Sequence, residues 1–330
     1  MVTRQQHQIT ILDAGARYGL HPTWKNLNAP CKFVLVEPDP EECKRLALRY
    51  QGSPNIEIHQ TALGNHNGTI DLMIRSNPAM SGIINRNSIS PLYTDARVGQ
   101  EDVIKHVKVK LQTLDTLRQS IGHDFDFLKL DTEGNEYSIF EGCQDLSKVI
   151  GVRSEVSFDG VFDEAVLGGD RDGSFSRIHG RLRSEGFILL NLDYVGRGDF
   201  YSSMILSNER YGVLQSTDAV WIKDPKVLAE SANPLIILKA VIFLLRNNAP
   251  DVAFWLLENT SADLLNPIVD LDPFLNCIKN EVIQHLYRLK WIPGQDIRNH
   301  AKWFEQVFRD HYPVMNEFNE NLRFNPLDTL

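Results

Sequence analysis

Short apolar runs that end in an acidic residue recur along the first part of the chain and constrain its fold most. Ile9–Asp13, Phe33–Glu37 and Phe125–Asp131 are such runs, and stretches with helical spacing separate them. This alternation is typical of a parallel sheet with crossover helices, so we expect an α/β fold. Phe187–Leu192 and Ala219–Ile222 are expected to complete the sheet.

Further runs predict additional strands and one long loop. Ile56–Leu63 is expected to form one strand, and Gly68–Arg75 alternates apolar and polar residues as a half-exposed strand does. Val107–Leu111 is expected to be a strand, followed by a helix from about Leu114 to Ser120. Residues 76–101 are rich in Asn, Ser, Pro and Gly, which predicts a loop of a length that is usually functional.

The pattern changes after Pro225, where only helical spacing remains. Helices are expected over residues 235–246, 251–258, 273–290 and 296–311. We therefore predict an α/β domain over residues 1–230 and an all-α domain over 231–330. Trp255, Trp291 and Trp303 are expected in its helix core. This second domain could dock a protein partner or a second subunit, or simply stabilise the first domain.

Composition excludes several classes of protein. Hydrophobic residues make up 42% and charged residues 23% of the 330, as in globular proteins. The net charge of −9 disfavours a nucleic-acid partner. No apolar run approaches the roughly 20 residues that span a bilayer. Four scattered cysteines and a polar N-terminus without a signal core predict a cytoplasmic location.

Two motifs predict a ligand site at the carboxyl ends of the first strands. Asp13–Gly19 places glycines directly after a strand and before a probable helix, where backbone can approach a ligand closely. Asp13 could hold a ligand ammonium group. Glu37, about 20 residues beyond the glycines, is placed to accept hydrogen bonds from a ribose diol. The alternative is that Glu37 belongs to the solvated acids at the start of the next helix.

Charged residues inside apolar strands mark a second candidate group. Lys129 and Asp131 lie in or at the end of one such strand, and Glu155 lies in another. Unpaired charge in such places is costly, so we expect Asp131 and Glu155 to share a cleft that binds a cation or a hydroxyl. The alternatives are that Glu155 pairs with Arg153 or Lys129, and that Glu136 only begins a helix.

Several of these segments, in order, match a known family. They are Asp13–Gly19, Val36–Asp39, Thr61–Gly64, Thr113–Leu117, Phe127–Tyr137, Ser154–Phe158 and Ser216–Trp221. Over residues 9–223 the chain resembles the FkbM-type methyltransferases, and the Lys-x-Asp-x-Glu-Gly-x-Glu string within Phe127–Tyr137 is the most specific part. The resemblance implies a Rossmann-like class I methyltransferase sheet, mostly parallel with an antiparallel last strand. The helix that often precedes this sheet and helps to cover the cofactor is expected to be absent or supplied elsewhere, because the chain begins almost at the first strand.

The resemblance also implies S-adenosylmethionine as cofactor. Asp13, Gly15 and Gly19 would flank its methionine moiety, Glu37 would hold the ribose, and Ala62 with Leu63 would lie by the adenine. The full set expected to bind the cofactor is Asp13, Ala14, Gly15, Arg17, Gly19, Glu37, Pro38, Ala62, Leu63 and Asp131.

The expected reaction is methylation of a hydroxyl of a sugar, a glycan or a secondary metabolite. Asp131 is the first choice as general base, with Glu155 and Lys129 completing the catalytic group. Glu155 would orient the hydroxyl or share a Mg²⁺ with Asp131; no third acid is clearly placed, so the metal is the minority hypothesis. Loop contacts with the acceptor are expected through Ser81, Asn85 and Asn87.

Two other functions stay open. A nicotinamide-dependent oxidoreductase could use a similar sheet, but the chain lacks the G-x-G-x-x-G turn. A non-catalytic binding module working through its helical tail need not retain both Glu37 and Asp131, and this chain has both.

Overall fold

The expected alternation of strands and helices is present in the computed structural model. The structure describes residues 8–84 except 26 and 28, residues 102–158, 174–198 and 213–265. The chain divides into two units, Met1–Val227 and Leu228–Leu330. The strands are β1 (Ile9–Ala14), β2 (Cys31–Val36), β3 (Ile56–His59), β4 (Ala62–Leu63), β5 (Gly68–Arg75), β6 (Val103–Gln112), β7 (Phe127–Leu130), β8 (Gly151–Ser157), β9 (Phe187–Gly198) and β10 (Val213–Lys223). The α-helices are α1 (Pro40–Arg49), α2 (Leu114–Ile121), α3 (Glu136–Glu141), α4 (Ser174–Ser184), α5 (Pro225–Ala229), α6 (Pro234–Arg246), α7 (Pro250–Glu258) and α8 (Ala262–Leu265).

Seven strands form the main sheet in the order β3-β2-β1-β7-β8-β10-β9. β10 lies between β8 and β9 and is antiparallel to both, whereas the pairs from β3 to β8 are parallel. The predicted Rossmann-like sheet with an antiparallel last strand is confirmed. The order reverses between β1 and β7, and ligands of open α/β sheets bind at the carboxyl ends of the strands beside such a reversal.

The prediction of one strand over Ile56–Leu63 is wrong, because the segment is shared between two sheets. β3 joins the main sheet, whereas β4 pairs with β6 in a three-stranded sheet of order β4-β6-β5. Thr61 lies at the break, and its hydroxyl donates to the carbonyl oxygen of Lys110 at 3.1 Å. This bond ties the chain to the second sheet as soon as it leaves the first.

The helix expected after the glycine turn is a further error. The described residues there form only a short 3₁₀ turn, Pro22–Trp24. The backbone N–H of His21 donates to Asp13 Oδ2 at 2.8 Å, which fixes the chain in a tight return. The Trp24 ring then stacks on Phe127 with centroids 5.8 Å apart, so one aromatic side chain covers the sheet there.

The two faces of the main sheet differ in chemistry. One face carries apolar side chains such as Leu12, Leu128 and Val152, which join a core with residues from α2, α3 and α4. On the other face the register aligns Asp13 with Lys129 and Lys129 with Arg153. Because in-register residues of neighbouring strands project from the same face, a row of charges crosses three strands there.

The second unit is helical wherever it is described. The side chain of Asn233 caps α6 by accepting from the Leu235 N–H at 3.0 Å, and Phe243 of that helix is fully buried. On α7, Phe254 is 6% exposed but Trp255 is 36% exposed, so placing Trp255 in the core is wrong. Trp291, Trp303 and the helices expected over 273–290 and 296–311 lie outside the described residues. Within the described parts of the chain, no helix has the length and apolar character needed to cross a bilayer.

Candidate active site

An open cavity lies at the carboxyl edge of the main sheet, beside the reversal of strand order. Its volume for a water-sized sphere is about 170 Å³. The walls come from the turn after β1, the end of β2, the β3–β4 connection, the segment after β5 and the loop after β7. The lining residues are Ala14, Gly15, Arg17, Tyr18, Val36, Glu37, Pro38, Thr61, Ala62, Leu63, Leu72, Ala79, Ser81, Gly82, Ile83, Asp131, Thr132, Glu133 and Asn135.

Most of the residues predicted from sequence line this cavity. These are Ala14, Gly15, Arg17, Glu37, Pro38, Ala62, Leu63, Ser81 and Asp131. Asp13, Gly19, Lys129 and Glu155 are not among its lining residues. Asn85 and Asn87 lie outside the described residues, so their predicted role stays a prediction.

Gly15 brings the turn after β1 into direct contact with the end of β7. Its φ is +79°, and a Cβ built on it would lie 1.6 Å from the carbonyl oxygen of Asp131. The Asp131 N–H also donates to the carbonyl oxygen of Ala14 at 3.1 Å. Only glycine fits both the left-handed backbone and this approach.

Asp13 does not offer a carboxylate to a ligand, which corrects the prediction that it holds an ammonium group. Its side chain is fully buried; Oδ1 lies 3.3 Å from Lys129 Nζ and Oδ2 accepts from His21. The same Nζ lies 3.3 Å from Asp131 Oδ2. Burial alone would lower the pKa of Lys129, but Asp13 and Asp131 outweigh it and the pKa is raised. Lys129 is therefore a buried cation shared by two carboxylates.

Gly19 is another predicted cofactor residue that is not among the lining residues of the cavity. A Cβ on Gly19 would lie 2.4 Å from the hydroxyl oxygen of Tyr50, and that hydroxyl accepts from the Leu20 N–H at 2.8 Å. Gly19 thus allows the turn to pack closely against Tyr50 and α1, and its predicted contact with the methionine moiety stays a prediction.

Glu37 stands apart from the acids that follow it. The Asp39 side chain caps α1 by accepting from the Glu41 N–H at 3.0 Å, and Glu42 accepts from Arg17 at 3.0 Å. Glu37 instead lines the cavity, where its Oε1 accepts from the Asp39 N–H at 2.8 Å. Burial raises the pKa of Glu37 to about 7. The alternative of a shared solvated cluster is not what the structure shows.

Three acids meet beside the cavity, and the sequence predicts two of them, Asp131 and Glu155, as a pair. Carboxylate oxygens of Asp131, Glu133 and Glu155 all lie within 4.8 Å of one another. Glu133 lies in the loop before α3, which begins only at Glu136. Glu133 has a left-handed φ of 63° in the preceding loop. The Glu-Gly pair at 133–134 is a turn signal that would have identified this loop.

The alternatives for Glu155 and Glu136 are also decided by their neighbours. Arg153 pairs with Asp193 and Asp218 at 2.6 and 2.8 Å, and Lys129 is engaged as described above, so neither cation pairs with Glu155. Burial and then the charge of Asp131 raise the pKa of Glu155 well above its usual range. Glu136 accepts from the N–H and the hydroxyl of Thr132 and holds the loop from within.

These three acids do not fit a Mg²⁺ site well. A divalent cation bound by Asp131 would face the buried ammonium of Lys129, which already lies 3.3 Å from the Asp131 carboxylate. The two cations would then share one carboxylate, and like charges brought that close repel each other. The group suits the handling of a proton better than the binding of a metal.

The segment after β5 closes one wall of the cavity. Gly82 forms an antiparallel bridge with Met73, and a Cβ on Gly82 would lie 3.1 Å from the Cβ of Glu133. The Ser81 hydroxyl accepts from the Arg75 N–H at 3.1 Å. On the opposite side, buried Asn135 donates to the carbonyl oxygen of Leu63 at 2.6 Å. Sequence reasoning missed Gly82 and Asn135, because neither lies in a strand pattern.

Comparison with solved structures returns distant methyltransferase folds. Methyltransferase FkbM from Methylobacillus flagellatus KT is 12% identical, with 66% of this chain and 44% of that chain covered and a TM-score of 0.34. A putative methyltransferase from Thermoplasma acidophilum is 10% identical, with 66% and 69% covered and a TM-score of 0.27. M. jannaschii TYW2 in complex with AdoMet is 11% identical, with 67% and 74% covered and a TM-score of 0.28.

The match to a protein family carries the assignment. A search of curated proteins gave no significant match. The model of the methyltransferase FkbM domain matches residues 13–189, more than half of the chain and the part that builds the cavity. The chain therefore belongs to the FkbM methyltransferase family.

Proposed function

We propose that this protein transfers a methyl group from S-adenosylmethionine to a hydroxyl of a sugar, a glycan or a secondary metabolite. The observation that carries the proposal is the cavity itself. It joins Gly15, Glu37 and the Ala62–Leu63 pair to the acids that follow β7. The family membership supports methyl transfer, and the acceptor class follows from the family resemblance alone.

The residues on one side of the cavity, which we call the cofactor side, suit the cofactor. Glu37 is a buried carboxylate with one oxygen held by the Asp39 N–H, so its second oxygen can accept hydrogen bonds from a ribose diol. Ala62 and Leu63 are buried and apolar, as an adenine ring requires. The glycine at position 15 lets the methionine part approach the backbone. When bound, S-adenosylmethionine supplies an electrophilic methyl group on a sulfonium.

The residues on the other side, which we call the reaction side, suit a hydroxyl acceptor. Asp131 and Glu133 line the cavity, and Glu155 is within 4.8 Å of their carboxylate oxygens. A hydroxyl is a poor nucleophile at neutral pH, and a carboxylate that removes its proton helps by about 10²–10⁴ in rate. The described cysteines, Cys31, Cys43 and Cys143, are buried, so a covalent thiol route is not favoured.

Calorimetry and a transfer assay test the function. S-adenosylhomocysteine should bind and NADH should not; binding of NADH alone would overturn the methyltransferase proposal and favour the oxidoreductase. Labelled S-adenosylmethionine is then incubated with a panel of glycans and secondary metabolites, with Glu37→Gln as a matched control. Label should appear in a hydroxyl-bearing acceptor with the wild type. Transfer only to amines or thiols would overturn the acceptor class.

For residues 231–330 we propose a separate domain that docks a protein partner or a second copy of the chain. The exposed indole of Trp255 on α7 supports a contact role, because aromatic residues are enriched at interfaces. Light scattering compares the full chain with a chain ending at Glu230. An oligomer that becomes an active, folded monomer supports docking, whereas precipitation of the shortened chain favours a stabilising role. The cytoplasmic location and the absence of a nucleic-acid partner stay predictions.

A further inference from the structure

We propose that Glu155, and not Asp131, accepts the proton of the acceptor hydroxyl, while Asp131, held by Lys129, orients that hydroxyl. The assignment deepens the methyl-transfer function proposed above and rests on it. It reverses the roles that the sequence suggests for these two acids.

Asp131 is held in position by its neighbours. The ammonium of Lys129 lies 3.3 Å from its Oδ2, and this ammonium is buried between Asp131 and Asp13. A charge-assisted contact at that distance engages the oxygen and fixes the direction of the carboxylate. The Asp131 N–H also donates to Ala14, which fixes the residue beside the turn after β1. These contacts suit a group that aligns a hydroxyl.

Glu155 has the opposite surroundings. Among the described residues, none donates a hydrogen bond to its carboxylate or forms an ion pair with it. Four acids act on it from the loop after β7, from α3 and from β10: Asp131, Glu133, Glu136 and Asp218. Arg153 lies two residues away on the same strand, but Asp193 and Asp218 engage its guanidinium. A carboxylate in such a setting binds a proton readily.

The geometry lets one hydroxyl contact both acids. Carboxylate oxygens of Asp131 and Glu155 lie within 4.8 Å of each other, so a hydroxyl oxygen between them reaches both at ordinary hydrogen-bond distance. The hydroxyl donates its proton to Glu155 as its oxygen bonds to the methyl carbon. The carbon–sulfur bond breaks with its electron pair left on sulfur, and Glu155 later releases the proton to solvent.

A titration of the wild-type protein tests the assignment without any acceptor. Carbon-13 in the side-chain carboxyls of Glu and Asp reports each pKa by NMR, and Glu155→Gln identifies the signal of Glu155. We expect Glu155 to titrate well above the ordinary glutamate range. If Glu155→Gln does not fold, Glu155→Asp identifies the signal by its shift. A Glu155 midpoint in the ordinary range would overturn the proposal.

Transfer kinetics give the second readout, on the acceptor found in the panel. Glu155→Gln should lower kcat by about 10²–10⁴ and leave the Kd for S-adenosylhomocysteine within twofold. Asp131→Asn should raise KM for the acceptor and lower kcat by about tenfold or less, because it removes alignment and not the base. The reverse order of kcat losses would overturn the proposal. Failure of S-adenosylhomocysteine to bind the wild type would refute the methyltransferase function and leave the titration result standing.

Discussion

The cofactor side and the reaction side of the cavity both contain a carboxyl group with a raised pKa, but they arrive at it differently. At the end of β2, the pKa of Glu37 is raised mainly by burial. Its nearest acids have other partners, because Asp39 caps α1 and Glu42 accepts from Arg17. In β8, the pKa of Glu155 is raised by burial and by the charges of the acids that surround it. An isolated acid can change its protonation alone, whereas a change at Glu155 is felt by every carboxylate around it.

The largest loss of stability is expected where Gly15 contacts the carbonyl oxygen of Asp131, because this contact joins the two sides of the cavity. Gly15→Ala places a Cβ 1.6 Å from the Asp131 carbonyl oxygen, in a left-handed conformation. We expect a loss of about 4 kcal/mol or more in the free energy of unfolding. Gly52→Ala is the matched control, because Gly52 has φ +83° with nothing within 4 Å of the added Cβ. It should cost only about 1–2 kcal/mol. Equal losses in urea unfolding would show that close approach is unimportant.

The second largest loss of stability is expected in the row of charges formed by Asp13, Lys129 and Arg153. Lys129→Met leaves the fully buried Asp13 without its cation, and we expect a loss of about 3–5 kcal/mol in stability. Lys44→Met removes the solvent-exposed Lys44–Glu41 pair and serves as control, with no measurable change expected. If Asp13→Asn is added to Lys129→Met, part of the loss should return. A double variant as unstable as the sum of the singles would contradict the pairing.

On the cofactor side, Glu37→Gln should weaken binding of S-adenosylhomocysteine by about 10- to 100-fold at pH 8, since a hydrogen-bonded charge is lost. Because the wild-type pKa is about 7, its Kd should rise as pH falls below 7, whereas that of the variant should stay flat. Calorimetry from pH 6 to 8 measures both. Glu41→Gln, in the same helix region but exposed, should bind like the wild type.

The same group predicts how stability depends on pH. An acid whose folded pKa is raised favours the protonated folded chain, so its contribution to stability falls as pH rises from 4.5 to 7. For Glu37 the change corresponds to about 3 kcal/mol. The wild type should lose that much relative to Glu37→Gln across this range. Parallel unfolding curves for the two proteins would contradict a raised pKa.

The smallest effect is expected at Glu133, the residue of the reaction side that has a left-handed backbone φ. Glu133→Gly relieves a φ of 63° and removes one acid from the group, so stability should rise by about 1 kcal/mol while transfer slows. Asn248→Gly relieves a φ of 57° in the second unit and should stabilise without slowing transfer. Thermal unfolding with the transfer assay separates the two outcomes. A loss of stability in Glu133→Gly would show that its side chain supports the fold.

The main sheet could be predicted from the sequence because its buried strands consist of short, continuous apolar runs of the length typical of strands. The break after His59 could not, since apolar periodicity continues across it and the change of sheet depends on contacts with a distant strand, such as the bond from the Thr61 hydroxyl to Lys110. At the site, single acids at strand ends were readily found. Their partners were not: that Lys129 engages Asp13 depends on register between distant strands, which sequence spacing does not encode.

The pairing of Asp13 with Lys129 also has a consequence for how such a chain can change over generations. Lys129 replaced alone leaves the buried carboxylate of Asp13 without its cation, so a lineage that loses Lys129 must pass through a poorly folded form or already carry a compensating change. Asp13 and Lys129 lie 116 positions apart in the chain, yet a loss of Lys129 should be accompanied by a loss of Asp13.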